Sequence, residues 1–112
     1  MNISTHILDT SRGRPAVGMA VTLEQQRGES WQRIGTDTTD ADGRARGLWT
    51  GSTAPPPGSY RLCFEVAAYF AGLGVASFYP RVEITFMIVD GAEQYHVPLL
   101  LSPFSYSTYR GS

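Results

Sequence analysis

An all-β sandwich interrupted by one short helix is the fold that this sequence predicts. Three observations lead there. About eight short runs alternate apolar with polar residues, Gly, Asp and Pro turn signals separate them closely, and one alanine-rich stretch breaks the two-residue rhythm. The opening NISTHILD alternates as a strand and is followed by a turn in TSRGRP. AVGMAVTLEQQ alternates again, with Val17, Met19, Val21 and Leu23 on one parity. GES marks a turn and WQRIGTDTT another strand, and DADGR is a polar loop in which Gly43 suits a positive φ. RARGLWT is a short strand candidate. GSTAPPPG carries three consecutive prolines, which cannot continue a hydrogen-bonded ladder, and reads as a rigid connection. SYRLCFEV resumes the strand pattern. In AAYFAGLG, alanines and aromatics at three-to-four spacing, ended by glycine, predict a helix of about two turns. VEITFMIV and YHVPLLLS are strands joined through DGAE, whose Asp-Gly pair is typical of a tight hairpin. SYSTYRGS is the last strand.

The totals bound the function. A chain of 112 residues is expected to form one domain, 1–112, with its own core. A formal net charge of −1, spread along the chain, supplies no basic stripe for nucleic acid and no polybasic membrane anchor. All nine cationic side chains are Arg, so no lysine amine is present to form a Schiff base. The single cysteine, Cys63, sits in the alternating run YRLCFEV and is expected to be a buried, inert thiol. Trp31 and Trp49 read as packing residues. No apolar run approaches membrane-spanning length and no charged leader precedes the first strand, so the cytoplasm is the expected compartment.

Strand parity then places the two histidines. Tyr95, Val97, Leu99 and Leu101 make the better core face of their strand, which sends His96, Pro98, Leu100 and Ser102 to the outside. In the first strand Ile3, Thr5 and Ile7 share one side, and Ser4, His6 and Leu8 share the other. Both histidines thus stand on outer faces that carry Leu and Pro, unlike a sheet face met only by water. Another subunit is the expected cover. Two His and one distant Cys make no zinc pattern, and a site built from His6, His96 and an acidic residue is the less favoured reading.

The chain as a whole resembles the 5-hydroxyisourate hydrolase, or transthyretin-related, family of purine catabolism. The motifs that carry the likeness are ISTHILDTSRGRPA at the start, TDADGR inside, YHVPLLLSP from Tyr95, and the terminal YRGS, Tyr109 to Ser112. The resemblance implies a transthyretin-like β-sandwich with a short helix, assembled as a homotetramer from two dimers with active sites in the inter-dimer channel. It implies His6, Arg44, His96 and Ser112 as the catalytic set, with Arg44, Tyr109 and Ser112 binding substrate, and no cofactor or metal. Gln94 departs from the family, where related enzymes often show histidine. Transthyretins that carry thyroid hormone lack the YRGS ending and replace the histidines.

The implied reaction opens the ring of 5-hydroxyisourate by hydrolysis of a cyclic amide-type C–N bond. An imidazole is the side chain suited to activate water near neutral pH. A guanidinium suits the developing oxyanion. In this reading His6 with Ser112 orients and deprotonates water, Arg44 holds the substrate and its negative charge, and His96 hydrogen-bonds the heterocycle and assists proton transfer. The histidines could exchange roles. The rivals are a carrier of a small aromatic ligand and a monomeric binding sandwich.

Overall fold

The computed structural model describes residues 2–112; Met1, which the expected domain includes, lies outside them. Among the described residues the elements run β1 (Ile3–Asp9), β2 (Arg14–Pro15), β3 (Ala20–Arg27), β4 (Ser30–Thr38), β5 (Arg44–Ala45), β6 (Gly58–Phe64), α1 (Val66–Gly72), β7 (Val82–Ile88), β8 (Tyr95–Leu101) and β9 (Tyr106–Thr108). They form two sheets. One has the order β2-β1-β8-β9, with β5 also pairing with β1, and the other has the order β4-β3-β6-β7. The β-sandwich with one short helix is as the alternation predicts.

The two sheets meet through the expected parities. Ile3, Thr5 and Ile7 of β1 and Tyr95, Val97, Leu99 and Leu101 of β8 are buried, facing Val21, Leu23, Tyr60, Leu62 and Phe64 of the second sheet. Removing that apolar surface from water is the main driving force for closure. The buried Thr5 hydroxyl donates to the Val97 carbonyl at 2.6 Å, so its place in the core leaves no orphaned polar group. Helix α1 adds Val66 and Phe70 to the core. It is tied to β1 by Tyr69, whose hydroxyl donates to the buried Asp9 carboxylate at 2.8 Å. Gly74 beyond the helix takes a positive φ of 72°, the left-handed conformation that a glycine adopts without strain.

Four local expectations are corrected. The TSRGRP turn contains a short strand, because Arg14–Pro15 folds back on Leu8 and Asp9. RARGLWT narrows to Arg44–Ala45: the next amides, of Arg46 and Gly47, donate to the Asp37 carboxylate at 3.1 and 2.8 Å instead of continuing a ladder. Val17, expected on the buried parity, is 52% exposed, since β3 begins only at Ala20 and Gly18 turns the chain with φ 78°. The Asp-Gly pair makes no hairpin.

That last correction has a clear cause. β7 is an edge of the four-stranded sheet while β8 is interior to the other, so Asp90–Glu93 is a corner between sheets. The Tyr95 hydroxyl accepts the amides of Val89 and Asp90 at 3.0 and 3.1 Å, and Asp90 Oδ1 accepts the Ala92 amide at 2.9 Å. Gly91 serves close approach, because a Cβ there would collide with the Pro55 carbonyl.

On the outer face of the second sheet, Cys63 is buried and its thiol donates to Glu24 Oε1 at 3.2 Å. Burial first, then the Glu24 hydrogen bond and the nearby carboxylates, pushes its pKa up to about 12. The inert-thiol expectation stands on that. Trp49 packs against the core and Trp31 lies beneath the Arg61 guanidinium, 4.4 Å from ring centroid to Cζ. Among the described residues no helix is long and apolar enough to cross a membrane.

Candidate active site

The site is laid out by strand register. Strand β1 runs parallel to β8 with Ser4 opposite His96 and His6 opposite Pro98. On its other edge β1 meets β5 antiparallel, with His6 opposite Arg44. Beyond β8 the tail bridges back, pairing Gly111 with His96. Two neighbouring rows therefore cross the outer face: Arg44, His6, Pro98 and, one pleat repeat away, Ser4, His96, Gly111. Ser4 and His6 share a face because they are two residues apart on one strand. Pleat and strand spacing put the His6 and His96 backbones on the order of 8 Å apart.

Arg44 reaches this row because its loop is tightly held. Asp40 Oδ1 accepts the amides of Asp42 and Arg44 at 2.9 and 3.0 Å, and those bonds, the Arg44 one foremost, lower its pKa. Gly43 adopts φ 77° and packs so closely on Ile7 that a Cβ would meet the Ile7 carbonyl oxygen at 2.6 Å. The expected positive-φ glycine is there, and it delivers the next residue to β1.

His6, His96, Ser4 and Leu8 are half-buried on the outer face, and Pro98 between them is buried. His96 is held from several sides. Its Nδ1 lies 2.9 Å from Ser4 Oγ, and its carbonyl accepts the Gly111 amide at 2.8 Å. Burial, followed by the neighbouring charges of Arg44 and His6, holds the His96 pKa below its ordinary value of 6.5. The ring is thus mostly neutral at neutral pH, with one nitrogen able to accept a proton and one N–H able to donate a hydrogen bond.

The tail is fastened rather than frayed. Thr108 Oγ1 donates to the Pro98 carbonyl at 2.7 Å. Arg110 Nη2 donates to Glu93 Oε1 at 3.0 Å and to the Gln94 carbonyl at 3.2 Å, while its guanidinium lies 4.6 Å over the Tyr95 ring. Tyr109 and Arg110 line a pocket of about 310 Å³ with His96, Ile84, Phe86 and Met87, where the sandwich opens between β7 and β9.

The structure therefore brings His6, Arg44 and His96 onto one face and sets Tyr109 beside His96. Ser112 is exposed and follows Gly111, so within one chain it lies on the His96 side of the rows rather than against His6. Among the described residues no group of three or more His, Cys, Asp or Glu is placed to hold a metal ion. Sequence reasoning missed Ser4, which parity put on the histidine face but which only the β1–β8 register sets opposite His96. It also missed Gly111, whose lack of a side chain is a packing requirement.

Two sheet layers of this strand order with one short helix make a transthyretin-like domain, here with two imidazoles and a guanidinium on one outer sheet face. Residues 3–111 match the HIUase/Transthyretin family model, and the chain belongs to that family. It is 46% identical to the 5-hydroxyisourate hydrolase of Salmonella typhimurium, over 98% of this chain and 80% of that protein. With the Mus musculus 5-hydroxyisourate hydrolase the identity is 45%, over 98% of this chain and 94% of that one. Among solved structures, Klebsiella pneumoniae 5-hydroxyisourate hydrolase superposes with a TM-score of 0.86 at 38% identity, covering 100% of both chains. Sea bream transthyretin in complex with thyroxine superposes with a TM-score of 0.92 at 34% identity, covering 99% of this chain and 95% of that one. Backbone likeness alone does not separate enzyme from carrier. The side chains on the outer face have to.

Proposed function

We propose that this protein, as one domain over residues 1–112, hydrolyses 5-hydroxyisourate to 2-oxo-4-hydroxy-4-carboxy-5-ureidoimidazoline in urate degradation. The observation that carries this reading is the register that aligns Arg44 with His6 and sets His96 in the next row of the same face. The 5-hydroxyisourate hydrolases at 45–46% identity support the substrate.

In the reaction His6, with Ser112 orienting the water, takes a water proton as the oxygen attacks the ring carbonyl carbon. The carbonyl π electrons move to oxygen, where the Arg44 guanidinium meets the negative charge. Collapse of that intermediate breaks the C–N bond, and the proton taken up by His6 passes to the leaving nitrogen. His96 assists by hydrogen-bonding the heterocycle through its ring N–H, and it ends the step neutral as it began. Tyr109 closes the substrate pocket beside His96. Arg44 and Ser112 also bind the substrate. No cofactor enters these steps, and the enzyme works in the cytoplasm.

The working unit is a homotetramer, a dimer of dimers whose channel encloses the outer face. Two features support it. Leu8 and Leu100 accompany the histidines on that face. The edges at β7 and β9 expose Met87, Val89, Phe104, Tyr106 and Tyr109, apolar surface of the kind that subunits bury. Ser112 of one copy would then reach the His6 of another.

Freshly generated 5-hydroxyisourate, followed by ultraviolet absorbance with and without the protein, tests the activity, and light scattering tests the tetramer. The second reading, a carrier of a small aromatic ligand, is favoured by the likeness to thyroxine-bound transthyretin. Tight binding of an aromatic ligand without accelerated decay of 5-hydroxyisourate would establish the carrier instead.

A further inference from the structure

Ser4 is placed to do more than form strand. It faces His96 across the parallel β1–β8 pair, and its Oγ lies 2.9 Å from His96 Nδ1. Among the described residues that nitrogen is the one hydrogen-bond partner of the Ser4 hydroxyl. The opposite side of the ring is closed as well, because a Cβ on Gly111 would sit 2.5 Å from His96 Cδ2.

We infer that Ser4 is a positioning residue for His96, its hydroxyl donating to Nδ1 and so keeping the ring proton on Nε2. The inference rests on the hydrolase reading for its catalytic consequence but not for its geometry. A neutral imidazole carries one N–H, and the nitrogen without it must accept. Were Nδ1 the protonated nitrogen, it would donate to Ser4 Oγ, and the half-buried hydroxyl proton would have no protein acceptor among the described residues. Leaving such a donor unpaired is disfavoured over the arrangement in which Ser4 donates. With Ser4 on one side and Gly111 on the other, both the tautomer and the ring plane are set before substrate arrives. A ring N–H fixed in advance costs no reorganisation during reaction, which is what a hydrogen bond to the heterocycle at its leaving nitrogen needs.

The test is nitrogen-15 NMR of the two imidazole rings in the full-length protein, with His96 assigned by the loss of its signals in His96→Asn. Wild-type His96 should show a protonated, pyrrole-like Nε2 and an unprotonated, pyridine-like Nδ1. Ser4→Ala should average the two nitrogens toward a mixture of tautomers. It should also lower kcat roughly tenfold, with KM changed less than about twofold, the usual size of one lost hydrogen bond. Ser4→Thr, which keeps the hydroxyl, should restore both. A wild-type ring protonated on Nδ1, or a Ser4→Ala protein with unaltered ring signals and kcat, overturns the assignment. If Ser4→Ala fails to fold, the wild-type and Ser4→Thr spectra decide. If the wild type does not accelerate decay of 5-hydroxyisourate, the hydrolase reading falls alone, and the ring spectra still decide whether Ser4 sets the tautomer.

Discussion

Gly111 packs directly against the His96 ring. Its amide donates to the His96 carbonyl at 2.8 Å, and a Cβ built on it would lie 2.5 Å from Cδ2 and 3.2 Å from Cγ of the imidazole. The residue before the last thus forms one wall of the position that His96 occupies. Its φ is outside the left-handed region, so contact distance and not backbone freedom demands a glycine here.

Gly111→Ala should consequently damage activity more than stability. One methyl group pushes the imidazole or detaches the tail, and a misplacement on the order of 1 Å costs about a hundredfold in rate. Turnover of 5-hydroxyisourate should fall at least tenfold, while the midpoint of thermal unfolding should drop by only a few degrees. Equal turnover in the alanine variant would show that the ring's position is immaterial.

His96→Asn keeps a polar side chain of similar reach but removes the titrating nitrogen. Activity should fall by about a hundredfold or more, the ordinary worth of one acid–base group. Size-exclusion chromatography should show an assembly unchanged from wild type. Near-wild-type turnover in this variant would remove His96 from the chemistry.

Arg44 and His6 disfavour the protonated form of His96, after burial, and this has a pH consequence. The folded protein takes up the His96 proton only below the pH at which the unfolded chain does, near 6.5. Between that pH and the lower folded pKa the unfolded state binds more protons, so acidification through this window lowers stability. Thermal unfolding followed from pH 7 downward should show the decline, and His96→Asn should blunt it. Arg44→Gln should move the His96 titration upward toward 6.5 by NMR, and no movement would mean that the guanidinium lies too far away to act on the ring.

Cys63 should resist thiol reagents. With its pKa pushed up to about 12, the reactive thiolate is scarce at any working pH, and the side chain is buried besides. Native protein at pH 8 should leave a disulfide-exchange reagent unreacted for hours, and unfolding in guanidinium should release one equivalent promptly. Rapid reaction of the native protein would mean that the Glu24 and Glu83 carboxylates do not cover the sulfur.

Alternation was enough to place His6 and His96 on outer faces and to bury Ile3, Ile7, Val97 and Leu99, because side-chain direction along a strand is a local property of the pleat. The helix at Val66–Gly72 was legible for the same reason, since its spacing and terminal glycines lie within a few residues of one another. The candidate residues are legible in the sequence because they sit inside the motifs YRGS, DADGR and STHILD. The tertiary structure decided everything that depends on register between distant segments. It made the β1–β8 pair parallel, turned the Asp-Gly pair into a corner between sheets, and set Ser4 and Gly111 on either side of His96. Ser4 and His96 are separated by 92 positions, and only the packing of the two sheets chooses which residues of such remote strands stand opposite one another.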